Sequence, residues 1–475
     1  MTLDKKIIKN YLYNLSYQIL VIIVPLITTP YVSRVLGAVG VGTFSYTNSI
    51  TQYFILFGAI GLNLYAQREI AYRQGNKKDY SVTFYEIFII KALCLMISIV
   101  LFYIFATGYT KYTVIFYIQI IDIIAAIFDI SWFFQGLEDF KKIVIRNFIV
   151  KIAGVICIFV FIKTSSDLWL YVLCHSLTIL LGNLSMWIYV PSLVNKINLK
   201  SICLKKHIRP AIMLFIPQIA TSLYTLLDKT MIGVLTGFES EVAYYEQSQK
   251  IVKIALTVAT SLGTVMMPRI ANVFANNEKE KIEYYMSQAF HFIFILSLPI
   301  TLGLMAISPK FVPWFFGEGY NKVILNMIII SPIIFIIGLS NVIGTLYLLP
   351  TNRQKEYTSS VIIGSVTNII LNILLIPHFL SYGAAMATVC AETFVTLTQI
   401  YFVRNDFNLK LIFKSNFKYL ILSLTMFSIV FSTGLLFEAT ISTTIIQIVL
   451  GILCYLILLL LTKDDLIISI VNKLK

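Results

Sequence analysis

Glu246, Lys250, Lys253 and Thr257 follow one another at steps of four, three and four residues. In a helix that spacing puts all four on one face. The stretch around them is apolar, so a polar stripe there should meet water or a ligand, and its two lysines suit an anion. The plainer reading pairs Glu246 with Lys250 one turn on and lets Lys253 reach toward an interface. Asp228 and Lys229 stand side by side in another apolar run. Neighbours on a helix point in different directions, so Asp228 suits a cation and Lys229 an anionic ligand, or each has its own interhelical partner. Lys91, Asp122, Asp129 and Lys151 bring opposite charges to neighbouring apolar runs, which favours buried ion pairs; Asp129, at i+7 from Asp122, shares its helical face. Glu392 is isolated in a further run. Arg34 ends a first run that contains Pro25 and Pro30, and a polar group from Ser45 to Gln52 opens the next.

The elements that must position these groups follow from composition. The chain has 475 residues, 58% hydrophobic and 13% charged, with a mean hydropathy of +0.84. Soluble domains carry about 25% charged residues, so a water-soluble enzyme is excluded. Disorder is excluded by the 14% aromatic content. Apolar residues spread along the whole chain, which excludes a single anchor on a soluble domain. What remains is an all-α polytopic membrane protein. The net charge of +14 then reads as cytoplasmic-loop charge, with no nucleic-acid partner. The six cysteines form no CxxC pair and read as small core residues. The N-terminus has no small-residue cleavage site and reads as a retained first helix.

A span needs about 20 mostly apolar residues. Fourteen fit: 11–35, 42–66, 81–106, 112–136, 143–163, 167–193, 210–236, 242–270, 284–307, 322–349, 356–378, 382–404, 415–437 and 442–463. With the N-terminus inside, only Arg34, Lys111, Lys163, Lys310 and Lys322 fall on the outer side. Lys91, Lys151, Lys229, Lys250 and Lys253 fall within spans, and the rest of the 37 Lys+Arg lie inside. A missed helix would invert this bias, so both termini are expected in the cytoplasm. Trp132, Trp169, Trp187 and Trp314 fall near the expected interfaces.

Two stretches about 199 residues apart are alike: Arg34-Val35-Leu36-Gly37 before Phe44-Ser45-Tyr46, and Gly233-Val234-Leu235-Thr236-Gly237 before Ala243-Tyr244-Tyr245. Each is an outer turn between an odd and an even span. Six spans separate them, so the copies share one orientation, the parallel-repeat arrangement with a substrate path between halves. This organises the chain as a six-helix lobe over 1–200, a second over 201–410, and an appended helix pair over 411–475. Pro25, Pro30, Pro217, Pro299 and Pro332 bend spans, as gating or static kinks. No GxxxxGK[ST], HExxH or GxSxG motif is present, and no loop is long enough for a catalytic domain. The reading is a transporter and not an enzyme.

Four stretches carry a resemblance. They are Pro30-Tyr31-Val32-Ser33-Arg34-Val35-Leu36-Gly37 running into Gly40-Val41-Gly42-Thr43-Phe44; Phe134-Gln135-Gly136-Leu137-Glu138; Trp314-Phe315-Phe316-Gly317-Glu318-Gly319-Tyr320; and Asn368 and Asn372 with Ile376-Pro377, Gly383-Ala384-Ala385-Met386-Ala387-Thr388 and Glu392. In order and spacing, residues 1–410 resemble the Wzx-type polysaccharide transporters of the multidrug/oligosaccharidyl-lipid/polysaccharide (MOP) exporter superfamily. The resemblance implies two six-helix lobes around a central cavity. It implies alternating access that carries an undecaprenyl-diphosphate-linked oligosaccharide from the inner to the outer leaflet of a bacterial plasma membrane. Capsular or exopolysaccharide synthesis is the implied setting, with the bilayer and glycan polymerase machinery as partners. Cavity cations bind the diphosphate in such proteins, and Arg34, Lys229, Lys250 and Lys253 match them. Related lipid II flippases carry a sodium site, which Asp228, Asn368, Asn372 and Thr388 match in position; Asn372 departs from the carboxylate expected there. No cofactor is implied beyond a coupling Na+ or H+.

Two rivals differ in class. A MATE-type cation-coupled drug antiporter has the same fold but needs acids where the first span has none and the eighth is lysine-rich. A non-transporting scaffold of a glycan-synthesis complex has no use for midplane charge.

Overall fold

The computed structural model describes residues 5–196, 202–276, 278–462 and 464. The described residues are helices and their connections, with no strand among them. They form two compact units, Met1–Thr230 and Met231–Lys475. The two chain ends expected in the cytoplasm, 1–4 and 465–475, lie outside the described residues.

The first unit contains α1 (Lys5–Ala59), α2 (Leu62–Tyr72), α3 (Lys77–Thr107), α4 (Thr113–Phe128), α5 (Ser131–Gly136), α6 (Phe140–Phe161), α7 (Leu168–Met186) and α8 (Val190–Leu193). It also takes most of α9 (Lys205–Thr236). α1 packs on α3, α4 and α6, and α4 lies between α3 and α7. The second unit contains α10 (Glu239–Ala275), α11 (Lys279–Phe316), α12 (Lys322–Ile330), α13 (Ile333–Ser340), a π-helical stretch (Asn341–Leu348), α14 (Gln354–Phe379), α15 (Ser381–Val403), α16 (Leu409–Leu436) and α17 (Ile441–Leu461). There α10 packs on α11, α12, α13 and α15, while α16 and α17 pack on α11. α16 and α17, the pair expected over 411–475, lie within the second unit.

Among the described residues, eleven stretches are long and apolar enough to cross a membrane. The fourteen expected from hydropathy differ from these at three places. α1 consists of two helical arms that meet without a loop at Gly37, whose φ of 66° and ψ of 177° suit only a residue without Cβ. α9 and α10, 32 and 37 residues long, are the helices at the expected spans 210–236 and 242–270, and stand outside the eleven because both include residues that are not described. The second expected span also ends earlier than 66. At Ile60 and Gly61, both with positive φ, the chain leaves α1 for α2.

Large apolar side chains such as Ile97 and Ile104 on α3, Leu435 on α16 and Leu461 on α17 point outward, as lipid-facing positions do. Interior contacts rely on small residues that let backbones approach. The α14–α15 hairpin is a close case against backbone: a Cβ on Gly383 would stand 2.5 Å from the Leu375 carbonyl oxygen. Leu380, at positive φ, makes its turn.

Two expected spans are interrupted. The 112–136 span stops at Phe128 and resumes at Ser131. The 322–349 span divides at Ser331-Pro332 and ends in the π-helical stretch. They are the fourth and the tenth of the fourteen expected spans, six apart like the two similar stretches, and interrupted spans at corresponding places point to function in repeat-built transporters.

Candidate functional site

α10 carries the stripe seen in the sequence. Its buried side consists of Val242, Tyr245, Ser248, Val252 and Ala259, packed on the neighbours given above. Glu246 and Lys250 are half-buried, and Lys253 and Thr257 are exposed. The stripe thus lies on the side of α10 turned away from its own unit's core. The Thr257 hydroxyl donates to the Lys253 carbonyl at 2.9 Å, so it is satisfied within the helix. Arg34, also exposed, stands three residues before the Gly37 break of α1.

Asp228 on α9 is buried at 1% exposure and Lys229 is half-buried. Two residues after Asp228, Thr230 shares a hydrogen bond with Ser49 of α1 at 2.8 Å and reaches the Tyr53 hydroxyl at 3.4 Å. Asn368, Asn372 and Thr388 belong to the second unit, on α14 and α15, and all three are buried. Asn372 Nδ2 donates to Asn368 Oδ1 at 3.0 Å. The Thr388 hydroxyl meets the Tyr245 hydroxyl of α10 at 2.9 Å, and Gln249 donates to that same tyrosine at 3.0 Å. Glu392, half-buried on α15, interacts electrostatically with Tyr357 of α14. Among the described residues no three His, Cys, Asp or Glu side chains gather as a metal site.

The first-unit charges part company. Asp129 does not share a helical face with Asp122, because α4 ends at Phe128 and Asp129 adopts an extended backbone (φ −71°, ψ 107°). A helix end leaves carbonyls unsatisfied, and inside a membrane each needs a protein donor. Asn183 Nδ2 takes the Ala125 carbonyl at 2.8 Å, Trp187 Nε1 takes that of Phe128 at 2.9 Å, and Lys91 Nζ takes that of Asp129 at 2.8 Å. The Asp129 carboxylate caps α5 by accepting from the Ser131 N–H at 3.0 Å. Arg146 donates to Ser131 and Asn183, tying the break together. Lys91, Asp129 and Arg146 therefore hold an interrupted helix. Asp122 and Lys151 join neither this network nor each other. Asp122 is buried beside the Ser176 hydroxyl of α7, and Lys151 is half-buried on α6.

Three polar clusters escaped the sequence reading. In the first unit the Glu86 carboxylate, fully buried on α3, meets His207 Nε2 and Lys206 Nζ, each at 2.8 Å, and accepts from the Cys203 N–H at 2.8 Å. The Tyr65 hydroxyl of α2 meets His207 Nδ1 at 2.7 Å. In the second unit Glu241 joins three helix starts: it pairs with Lys322 of α12 and accepts from the N–H and hydroxyl of Ser381 on α15. Near the C-terminal end, Asp464 pairs with Lys418 at 2.7 Å and accepts from Tyr419, which also meets His291 Nε2 at 2.9 Å.

The chain is similar to known proteins over most of its length. The family model described as Polysaccharide biosynthesis protein matches residues 7–274, more than half of the chain. The chain belongs to the polysaccharide biosynthesis protein family. A second model, MatE, matches residues 214–377 of this family member, in keeping with the MOP superfamily. A protein of Escherichia coli (strain K12) named as an O-antigen transporter is 24% identical over 403 residues, 84% of this chain and 97% of that protein. Among solved structures, lipid II flippase MurJ in an inward closed conformation superposes with a TM-score of 0.78 at 18% identity, covering 97% of this chain and 100% of that one. An inward-facing multidrug resistance MATE family transporter of the MOP superfamily gives a TM-score of 0.63 at 13% identity, over 85% and 96%. These two likenesses are of fold.

Proposed function

We propose that this polysaccharide biosynthesis family member flips an undecaprenyl-diphosphate-linked oligosaccharide from the inner to the outer leaflet of a bacterial plasma membrane. The observation that carries the reading is the lysine-bearing stripe of α10, turned away from its unit's core, in a chain aligned nearly end to end with an O-antigen transporter. A diphosphate is an anion that attracts ammonium and guanidinium groups. Lys250 and Lys253 would contact it, with Arg34 and Lys229 as further cations. The polyprenyl tail would remain in lipid while the sugars pass through alternating access. Fourteen crossings with both termini in the cytoplasm accompany this reading, as does a setting in capsular or other cell-surface glycan synthesis beside polymerase machinery. Asp228 is proposed to bind a coupling Na+ or H+; equal flipping rates with sodium and with choline outside would remove sodium from that role.

The MatE match over 214–377 supports a second reading, a cation-coupled drug antiporter. The deciding experiment is a lipid analysis of a deletion strain with leaflet-specific labelling. Accumulation of the linked oligosaccharide on the cytoplasmic face, reversed by the wild-type chain, is the expected result. No accumulation, together with raised sensitivity to cationic drugs, would replace the flippase with the antiporter.

A further inference from the structure

Five acids are buried among the described residues: Glu86, Asp122, Asp228, Glu241 and Asp464. Glu86, Glu241 and Asp464 meet a lysine and further donors, as described above, and Asp228 also has partners. Asp122 is the exception. It is 5% exposed, and among the described residues no lysine, arginine or histidine pairs with its carboxyl, which has the Ser176 hydroxyl as its neighbour. A carboxylate in that position, unpaired inside a membrane span, is neutralised by whatever positive charge can reach it.

Its surroundings supply oxygens. Ser176 of α7, fully buried, turns its hydroxyl toward the Asp122 carboxyl. One turn before Asp122 on α4, Gln119 accepts from the Thr51 hydroxyl at 2.9 Å and donates to that of Thr47 at 3.1 Å. All three of these side chains are fully buried. The charged and titratable groups on the packed helices are otherwise engaged. On α3, Lys91 is held by the Asp129 carbonyl. On α7, the His175 ring stands edge-on to Phe44 at 5.2 Å. On α1, Tyr46 packs against Tyr112, over whose ring Lys111 also lies.

We propose that Asp122 and Ser176 form a monovalent-cation site within the first unit, occupied by a proton or by a sodium ion. One carboxylate balances one positive charge, and a carboxylate with hydroxyl oxygens is a hard-oxygen donor set. Among the described residues no three His, Cys, Asp or Glu side chains gather there, as a divalent metal would favour. Through Gln119 the site's own helix is bound to α1 beyond the Gly37 break, so loading at Asp122 acts on the helix that carries that break. The site is separate from Asp228 and does not depend on what the protein transports.

The test uses the full chain in lipid nanodiscs and dicyclohexylcarbodiimide, which modifies protonated carboxyls in apolar surroundings. The readout is the mass of the Asp122 peptide, with Asp122→Asn as the blank. For a proton site, labelling falls about tenfold per pH unit beyond its midpoint and is the same in sodium and choline. For a sodium site, sodium protects Asp122 and choline does not. Labelling that stays constant from about pH 5 to about pH 10 in both salts, as for a permanently neutral carboxyl, would overturn the proposal. So would no labelling at any pH in either salt. None of these readouts requires transport, so they stand or fall apart from the flippase reading.

Discussion

The ammonium of Lys91 on α3 donates to the carbonyl oxygen of Asp129 at 2.8 Å, in the gap between α4 and α5. The lysine is 1% exposed. It serves a helix end and lies beside a carboxylate that itself caps the next helix. Removing it strands both. Lys91→Met is expected to destabilise the protein by about 3–5 kcal/mol, read as a lowered unfolding midpoint in detergent. A midpoint equal to wild type would show that the break is held by Asn183, Trp187 and Arg146 alone.

Gly383 is expected to tolerate no side chain. Its Cβ would stand 2.5 Å from the Leu375 carbonyl oxygen, and a backbone atom cannot swing aside as a side chain does. Gly383→Ala should open the α14–α15 hairpin at a cost of about 1–3 kcal/mol. Size-exclusion profiles and melting curves would register it as a less stable, lower-yield protein.

Lys253 should behave in the opposite way. It is exposed on the open side of α10, so Lys253→Ala should leave membrane protein level and melting temperature near wild type. Export of the glycan in a complemented deletion strain should nevertheless be lost. Normal export at normal protein level would take Lys253 out of the substrate path.

Asp464 gives the expected dependence on acid. Burial alone would raise its pKa, but hydrogen bonds from Lys418 and Tyr419 and the Lys418 charge outweigh this and hold its carboxyl below the usual carboxylate range. A depressed folded pKa contributes stability above the unfolded value, about 3.9, and that contribution is lost as pH falls through the folded value. Wild type should therefore lose stability on acidification below about pH 4. Asp464→Asn should start less stable at neutral pH and lose less across that window. Parallel curves for the two proteins would contradict the linkage.

The positions of the apolar helices were legible because membrane crossing demands length and low charge. Gly37 was legible as an outer turn, though a single left-handed residue between two helical arms takes the place of a loop. The break at Phe128 was not foreseen. No proline or glycine stands there, and its one sequence signal was Asp129 two residues before Ser131, a capping pair hidden in an apolar run. The reading that placed Asp129 on the face of Asp122 assumed an unbroken helix. The polar clusters were invisible for another reason. Glu86 and His207 are 121 residues apart, and Glu241 and Ser381 are 140 apart, so only the fold brings them together. The α10 stripe was legible because its residues repeat within one helix; what the structure adds is that its opposite side is the packed one.

The π-helical stretch Asn341–Leu348 has a consequence for alignment and mutagenesis. A π turn takes up more residues than an α turn over the same rise, so it acts as an insertion hidden inside a helix. Every side chain after Leu348 is rotated relative to those before Asn341, among them Arg353, which meets Asp406 and the Phe402 carbonyl. A relative lacking one residue here could keep every flanking contact with an ordinary helix. Deleting one residue from this chain should be gentler within 341–348 than in the neighbouring α13, where the same deletion turns Ile333 and Ile334 out of the core.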